Sequence, residues 1–177
     1  MRTAEKEGIR RVVIVDAYNV MHKVPAWRGR MERSLADGRL ALVQYCAAWM
    51  AQRRDVWKFF LVFDGDSEAT GSGESAGPGV QTVFTSRHET ADERILLVVR
   101  ECGPGFRYTV VSADGYVQAG AKRLGAATML PATFASALRR ARPAGDEVPG
   151  DADKDLPAHV RNSINAELLR EWGLDSR

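Results

Sequence analysis

Five short runs of β-branched and aromatic residues, each apolar almost without interruption, constrain most strongly how this chain can fold. They lie at about 12–15, 57–63, 80–84, 107–111 and 126–130. Strands with one face in water alternate apolar and polar residues, whereas strands covered on both faces are continuously apolar. The pattern therefore predicts a buried, mostly parallel, five-stranded sheet.

The segments between these runs carry apolar residues at the three-to-four spacing of helices, at about 33–54, 91–101, 115–124 and 132–141. Strands that alternate with helices form βαβ units, and the helices then cover the sheet. Thr90 and Glu93 have the spacing of a capping box, which predicts that a helix starts there. The expected fold is α/β, with helices flanking a central sheet.

The chain of 177 residues has room for one core of ordinary size. Residues 65–79 are rich in Gly and Ser without periodicity, which favours a mobile functional loop. Residues 142–155 are rich in Pro, Gly and Asp and predict a linker between a domain over 1–141 and a helical tail over 156–177. We expect this tail to dock on the domain or on a partner, and a homo-oligomer is one such arrangement.

Composition excludes several classes of protein. No apolar run approaches the roughly 20 residues that span a bilayer, so no membrane association is expected. The first residues lack the apolar core of a secretory signal, which predicts a cytoplasmic protein. The two cysteines, Cys46 and Cys102, have no partner pattern for zinc. The net charge of +2 is too small to indicate a nucleic-acid partner by itself.

Aspartates stand at or just after the ends of three predicted strands, at Asp16, Asp64 and Asp114. The carboxyl ends of parallel strands share one edge of a sheet, and ligands bind there. Asp92 joins them if its helix begins at the same edge. Taken singly, each aspartate could equally be only a helix cap or a turn residue. The four together indicate a shared site.

Carboxylates crowded at one edge repel one another, and a bound cation relieves the repulsion. Oxygen ligands select hard ions, so Mg²⁺ fits best and Mn²⁺ is the related choice. Such an ion can activate water and stabilise charge on the attacking and leaving oxygens of a phosphodiester. The residues therefore predict metal-dependent phosphodiester hydrolysis.

Four motifs resemble those of the NYN-domain family, a branch of the PIN-like ribonucleases, and specifically its YacP-like bacterial members. They are DAYN at 16–19, FDG at 63–65, FTSRHETADERI at 84–95 and VSAD at 111–114. The resemblance runs from about residue 12 to 140, so that the linker and tail lie outside it. It implies a PIN-like, Rossmann-like three-layer fold and a metal-dependent endoribonuclease of single-stranded RNA. mRNA is one candidate substrate, and the ribosome is one candidate partner.

The resemblance also assigns roles to individual residues. Asp16 and Asp114 would hold the catalytic metal directly or through water, and Asp92 would complete the metal's shell or position the attacking water. Asp64 would be a supporting metal ligand. Asn19 would orient Asp16 or a phosphate, although capping the following turn is an equal alternative.

Two positions depart from the family pattern. Ala17 stands where glycine is usual, and Glu93 stands where aspartate is commoner. Ala17 changes the turn at most slightly, and Glu93 has the spacing of a cap. Neither change removes a presumed metal ligand, so activity is still expected.

Basic residues near the first and third motifs are candidates for RNA binding: Lys23, Arg28, Arg30, Arg33 and Arg87. They could offset the repulsion between RNA phosphates and the carboxylates. Trp27 is interleaved with them and could stack on a base. The alternative is a solvated basic surface with Trp27 as a packing residue.

Two other functions compete with the nuclease. A phosphatase of the haloacid-dehalogenase type would need a second aspartate two residues after the first, where this chain has Tyr18. A non-catalytic RNA-binding or ribosome-associated module on the same fold is the stronger competitor. A surface that only binds phosphates gains nothing from clustered negative charge, so the acids favour an enzyme.

Overall fold

A computed structural model describes residues 10–65, 75–77 and 79–140. Within them the strands are β1 (Arg10–Asp16), β2 (Val56–Phe63), β3 (Ser75–Gly77), β4 (Val80–Phe84), β5 (Phe106–Val111) and β6 (Ala127–Met129). The helices are α1 (Ala17–Lys23), α2 (Pro25–Arg33), α3 (Leu35–Ala51), α4 (Ala91–Glu101), α5 (Gly115–Arg123) and α6 (Pro131–Arg140). Strands and helices alternate as the sequence predicted.

One sheet contains all the described strands, in the order β3-β4-β2-β1-β5-β6. Five of them are parallel, and β3 pairs antiparallel with β4 at the edge. The predicted α/β fold with five parallel strands flanked by helices is therefore confirmed. The chain moves outward from β1 through β2 to β4, then returns to β5 on the other side of β1. This reversal between β1 and β5 is a topological switch point, where α/β sheets open a crevice.

The central strand β1 separates two apolar cores. Val13 and Val15 pack in the core that contains residues of α1, α2, α3 and α6. Val12 and Ile14 pack in the core that contains residues of α4 and α5. All four side chains are fully buried, and each contributes roughly 1.5–3 kcal/mol relative to exposure. Burial on both faces explains why the strand reads as continuously apolar.

Helices α1 and α2 were missed by the sequence patterns, which assigned no structure to residues 17–32. They are short, and few of their side chains reach the core. Trp27 is one of the side chains that reach the core, since it is buried and its ring contacts that of Tyr45 edge to face. The packing alternative for Trp27 is therefore correct. The predicted helix over 33–54 begins later, at Leu35, because Ser34 caps it.

The predicted loop over 65–79 contains the short strand β3. Its backbone pairs Ser75 with Gln81 and Gly77 with Val80. The edge of β4 offers unpaired backbone groups, which a passing chain can bond whatever its side chains are. The other predictions for this loop fall mainly on residues 66–74 and 78, outside the described residues.

The predicted linker at 142–155 and the tail at 156–177 also lie outside the described residues, so their boundaries stay predictions. Within the described ranges, no helix is both long and apolar enough to cross a membrane. Cys46 is buried, whereas Cys102 is only partly buried and follows α4 as its cap.

Two helical glycines make a matched test of the packing between α2 and α3. A Cβ on Gly38 would meet Met21 Cε at 2.8 Å and Met31 Cα at 3.2 Å, whereas a Cβ on Gly29 would meet nothing within 4 Å. Gly29→Ala should raise the free energy of unfolding by about 1 kcal/mol through helix propensity. Gly38→Ala should lower it by about 1 kcal/mol, because overpacking outweighs that gain. Urea unfolding measures both, and equal shifts would contradict the packing described.

Candidate functional site

Three parallel strands deliver an aspartate to one edge of the sheet. Asp16 is the last residue of β1, Asp64 directly follows β2, and Asp114 follows β5 as the cap of α5. Because β1 and β5 flank the switch point, Asp16 and Asp114 lie on the two sides of its crevice. We call the carboxyl ends of these strands, with the residues that follow them, the acidic edge.

Asp16 is the most buried of the four acids, with 7% of its surface exposed. Its Oδ1 accepts a hydrogen bond from the backbone N–H of Asn19 at 3.3 Å, and its Oδ2 accepts one from Ser112 Oγ at 2.9 Å. Burial raises the pKa of Asp16 from 3.8 to about 6, although both hydrogen bonds act to lower it. The charges of Asp92 and Asp114 raise this pKa further. The three acids therefore share one electrostatic site.

Ser112 connects the two strands at the switch point and had no predicted role. Its fully buried hydroxyl donates to Asp16 and accepts from the backbone N–H of Asp114 at 3.0 Å. The side-chain amide of Gln118 donates to the Ser112 carbonyl at 2.9 Å, which holds the same turn. A hydroxyl directly after an apolar strand, in the VSAD motif, was the available signal.

Asn19 joins the first motif to the last. Its side-chain Oδ1 accepts from the backbone N–H of Ala113 at 2.8 Å, in the turn between β5 and α5. Its backbone N–H donates to Asp16, which makes Asp16 the cap of α1. The side chain therefore positions the loop that carries Asp114, and only the backbone of Asn19 contacts Asp16.

Asp114 caps α5 with one oxygen. Its Oδ1 accepts from the backbone N–H groups of Tyr116 and Val117, at 2.8 and 3.1 Å. Within the described residues, no hydrogen bond to its Oδ2 is found. Asp16 and Asp114 thus both cap helices, and at Asp114 the cap leaves one oxygen for a ligand.

Asp92 lies in the first turn of α4, as predicted. The capping box is confirmed, because Thr90 N–H donates to Glu93 Oε2 and Glu93 N–H donates to Thr90 Oγ1, at 3.0 and 3.2 Å. Burial raises the pKa of Asp92, and the charges of Asp114, Asp64 and Glu93 raise it further. No described residue donates a hydrogen bond to the Asp92 carboxylate. The Asp92 carboxylate therefore experiences the repulsion of the other acids without a hydrogen-bond donor to offset it.

Asp64 is exposed and serves the turn after β2. Its Oδ1 accepts from Thr85 Oγ1 at 3.0 Å, and the same hydroxyl accepts from Gly65 N–H at 3.1 Å. Gly65 has a φ of 109°, which favours glycine. Asp64 lies close enough to Asp92 to raise its pKa. Thr85, buried just after β4, was a second polar residue without a predicted role.

The donors at the acidic edge fit a hard divalent cation. They are carboxylate oxygens, and Mg²⁺ commonly binds through one or two carboxylates while keeping several waters. Among residues 10–65 and 79–140, no three His, Cys, Asp or Glu side chains already form a metal-binding group. An ion held by Asp16 and Asp114 with water in its other positions suits this arrangement.

The predicted RNA-binding cations lie on two helices and one turn. Lys23 ends α1, and Arg28, Arg30 and Arg33 lie on α2, which packs against α3. The charges that shift the pKa of Asp16 and Asp92 are those of the neighbouring acids. Arg87 is exposed in the turn between β4 and α4, which belongs to the acidic edge.

Arg39 is a cation near this edge that the sequence patterns missed. Its Nε donates to the Tyr18 hydroxyl at 2.7 Å. The guanidinium lies over the rings of Tyr18, Phe63 and Phe84, 5.4, 5.9 and 5.5 Å from their centroids. Phe63 and Phe84 end β2 and β4, so tertiary packing alone brings Arg39 to this place.

Comparison with known proteins identifies relatives. The model of the YacP-like NYN domain matches residues 13–173. The expectation that the resemblance ends near residue 140 was therefore wrong, because the match includes the predicted linker and most of the predicted tail. A crystal structure of a point mutant of Rae1 (YacP) from Bacillus subtilis is 22% identical, with a TM-score of 0.62, over 74% of this chain and 76% of that one. A second Rae1 structure is 19% identical, with a TM-score of 0.61, over 92% and 87%. These similarities show the PIN-like fold. No curated protein matches the chain.

Stability should depend on pH through Asp16. Its pKa is higher in the folded chain than in the unfolded one, so the folded state holds the proton more tightly between about pH 4 and 6. Stability without divalent ions should therefore fall as pH rises through this range, by up to about 3 kcal/mol. Asp16→Asn should lack this component. Urea unfolding of both proteins in EDTA from pH 4 to 7 measures the difference, and a difference independent of pH would contradict the burial of Asp16.

Ser112→Ala should lower the free energy of unfolding by about 1–3 kcal/mol, because it leaves Oδ2 of a buried carboxylate without its donor. It should also raise the pKa of Asp16, which carbon-detected NMR titration measures. Ser136→Ala is the matched control, since that hydroxyl bonds residues of its own helix: it donates to the Ala132 carbonyl and accepts from Arg139. If both serine variants behave alike, Ser112 does not stabilise the Asp16 carboxylate.

Proposed function

Because this chain belongs to the YacP-like NYN-domain family, a family of nucleases that act on RNA, we propose that it is a metal-dependent endoribonuclease. Its proposed substrate is single-stranded RNA, and its proposed ion is Mg²⁺ or Mn²⁺. The observation that carries the proposal is the convergence of Asp16, Asp92 and Asp114 on one edge, where the latter two raise the pKa of Asp16.

Asp16 and Asp114 are the proposed metal ligands. A divalent ion bound between them would supply an activated water and offset charge on the phosphodiester oxygens. With a pKa of about 6, Asp16 is mostly ionised at neutral pH, as a ligand must be. Asp114 has one carboxylate oxygen engaged in capping α5 and offers the other.

Asp92 is proposed to position the attacking water. Its carboxylate receives no hydrogen bond from the described residues, and its raised pKa strengthens it as a proton acceptor. Asp64 lies on the outer side of this group, exposed and bonded to Thr85. We therefore assign Asp64 a supporting role through its charge and through the turn after β2.

Ser112 and Asn19 are positioning residues in this proposal. Ser112 bonds both metal-ligand segments, and Asn19 ties α1 to the turn before α5. Preorganised ligands need no rearrangement when an ion and a phosphodiester bind, which lowers the cost of reaching the reactive geometry. Arg87, in the turn before α4, is the proposed first contact for RNA phosphates, with Lys23 and the α2 arginines further along the surface.

RNA is the proposed partner, in the cytoplasm, and the ribosome is a proposed site of action. Nothing in the catalytic chemistry described requires the ribosome. A short labelled RNA without secondary structure is therefore a sufficient first substrate.

The expected result is internal cutting of that RNA with Mg²⁺ or Mn²⁺ and none with EDTA. Asp16→Asn, Asp92→Asn and Asp114→Asn should each slow cutting at least about 100-fold, since even outer-shell changes at metal sites cost 10–100-fold. Asp37→Asn is the matched control, because Asp37 is exposed on α3. Denaturing gels measure the rates.

Metal binding has its own measurement. Mn²⁺ should raise the melting temperature of the wild type and of Asp37→Asn, but not that of Asp16→Asn, because only proteins that keep the site gain from the ion. Wild-type protein that binds RNA yet leaves it intact with every divalent ion would refute the enzyme and favour a non-catalytic RNA-binding module.

A further inference from the structure

A groove of about 580 Å³ lies between α4 and α5. It lies on the side of the sheet opposite α1, α2 and α3, because α4 and α5 pack in the other core. A Cβ on Gly120 would stand 2.8 Å from Leu96 Cδ1, so glycine there lets the two helices approach closely. The groove is thus a fixed feature of helix packing.

The groove begins at the acidic edge. Both helices start there, since Asp92 is the second residue of α4 and Asp114 caps α5. His88 and Tyr116 line the groove close in sequence to these acids, whereas Arg100 and Arg123 line it in the last turns of the helices. A chain bound along the groove would therefore lead directly into the acidic edge.

The groove is lined by charges of both signs. Of its two glutamates, Glu89 forms a salt bridge with Arg94 at 2.6 Å, and Glu93 accepts a hydrogen bond in the capping box but keeps its negative charge. Arg100 and Arg123 are exposed, and no hydrogen bond or ion pair to either is found among the described residues. Their guanidinium groups are placed to bind phosphates.

Exposed apolar surface accompanies these cations. Tyr116 is 62% exposed and Leu124 is 44% exposed, at the two ends of α5. An aromatic ring beside cations in an open groove is the combination that binds single-stranded nucleic acid, because bases stack on the ring while phosphates meet the charges. Leu96 and Leu97 also line the groove, but four of its ten lining residues are charged. Charged residues are depleted from the core of a protein–protein interface, so this lining favours a nucleic acid over a protein.

We propose that the α4–α5 groove binds the unpaired nucleotides of RNA next to the cleaved bond. One base stacks on Tyr116, and the phosphates that follow contact Arg100 and Arg123. This inference rests on the proposed ribonuclease function and extends it. Paired bases are already stacked within a duplex, so the groove also accounts for a preference for single strands.

Binding of a fluorescein-labelled, single-stranded RNA of mixed sequence tests the groove. Fluorescence anisotropy in EDTA, over a series of salt concentrations, separates binding from cutting. Tyr116→Ala should weaken binding roughly tenfold, and Tyr116→Phe should keep it, because the ring does the stacking. Arg100→Gln with Arg123→Gln should reduce the slope of log affinity against log salt by about 1.4, which corresponds to two phosphate contacts.

Lys122→Gln is the matched control, since Lys122 is exposed on α5 beside Arg123 but does not line the groove. It should leave binding and the salt slope nearly unchanged. Circular dichroism checks that every variant is folded. Tyr116→Phe keeps the ring and removes only the hydroxyl, so comparison with Tyr116→Ala tests whether the ring itself is needed for binding.

The groove and the catalytic proposal fail in different ways. If the groove variants bind RNA as the wild type does, with the same salt slope, the groove proposal is overturned even when Mg²⁺-dependent cutting is present. If the wild type never cuts but the groove variants still lose affinity, the groove stands and the nuclease proposal falls. Equal losses in Lys122→Gln and the double arginine variant would also overturn the groove, because they would indicate unspecific charge attraction.

Discussion

Burial of the Asp16 carboxylate at the end of the central strand is the constraint on which the rest of the site depends. β1 pairs with β2 and β5 and is covered by helices on both faces, so its last side chain cannot remain in water. An ionised carboxylate there is costly unless donors surround it. Ser112 and the backbone of Asn19 supply them. Because Ser112 also bonds the backbone of Asp114, the same contact that stabilises one acid positions the next.

Two aspartates at this edge cap helices and are also the proposed metal ligands. Asp16 and Asp114 begin α1 and α5, and Thr90 and Glu93 begin α4 close beside Asp92. Helix N-termini carry partial positive charge, which makes several neighbouring carboxylates tolerable before any ion binds. The arrangement still leaves the pKa of Asp16 and Asp92 raised. The burial and mutual repulsion of these carboxylates therefore oppose folding, and a bound cation would relieve the repulsion. Functional sites commonly lower the stability of a protein in this way.

Patterns with a strong local cause were predictable. The continuous apolar strands, the capping box at Thr90 and the helices α4, α5 and α6 follow from residue spacing, and the motif aspartates follow from strand ends. α1 and α2 were missed because they are short and stabilised by contacts with α3, and β3 was missed because only its backbone pairs with β4. Arg39 was missed because Tyr18, Phe63 and Phe84 are distant in sequence and meet it only through packing.

The sequence alone determined the class of fold and the candidate acidic residues, because burial on both faces and carboxylates at strand ends produce local sequence patterns. It left open whether each aspartate was a cap or a ligand candidate. Only the tertiary structure showed that Asp16 and Asp114 cap helices while their charges interact across a switch point, so that a cap can also be a ligand candidate. The tertiary structure also showed that the Ser112 hydroxyl bonds both Asp16 and the backbone of Asp114. It showed as well that α4 and α5 form a groove beside these acids. These features depend on which strands become neighbours in the sheet. The spacing of residues along the chain does not indicate the strand order.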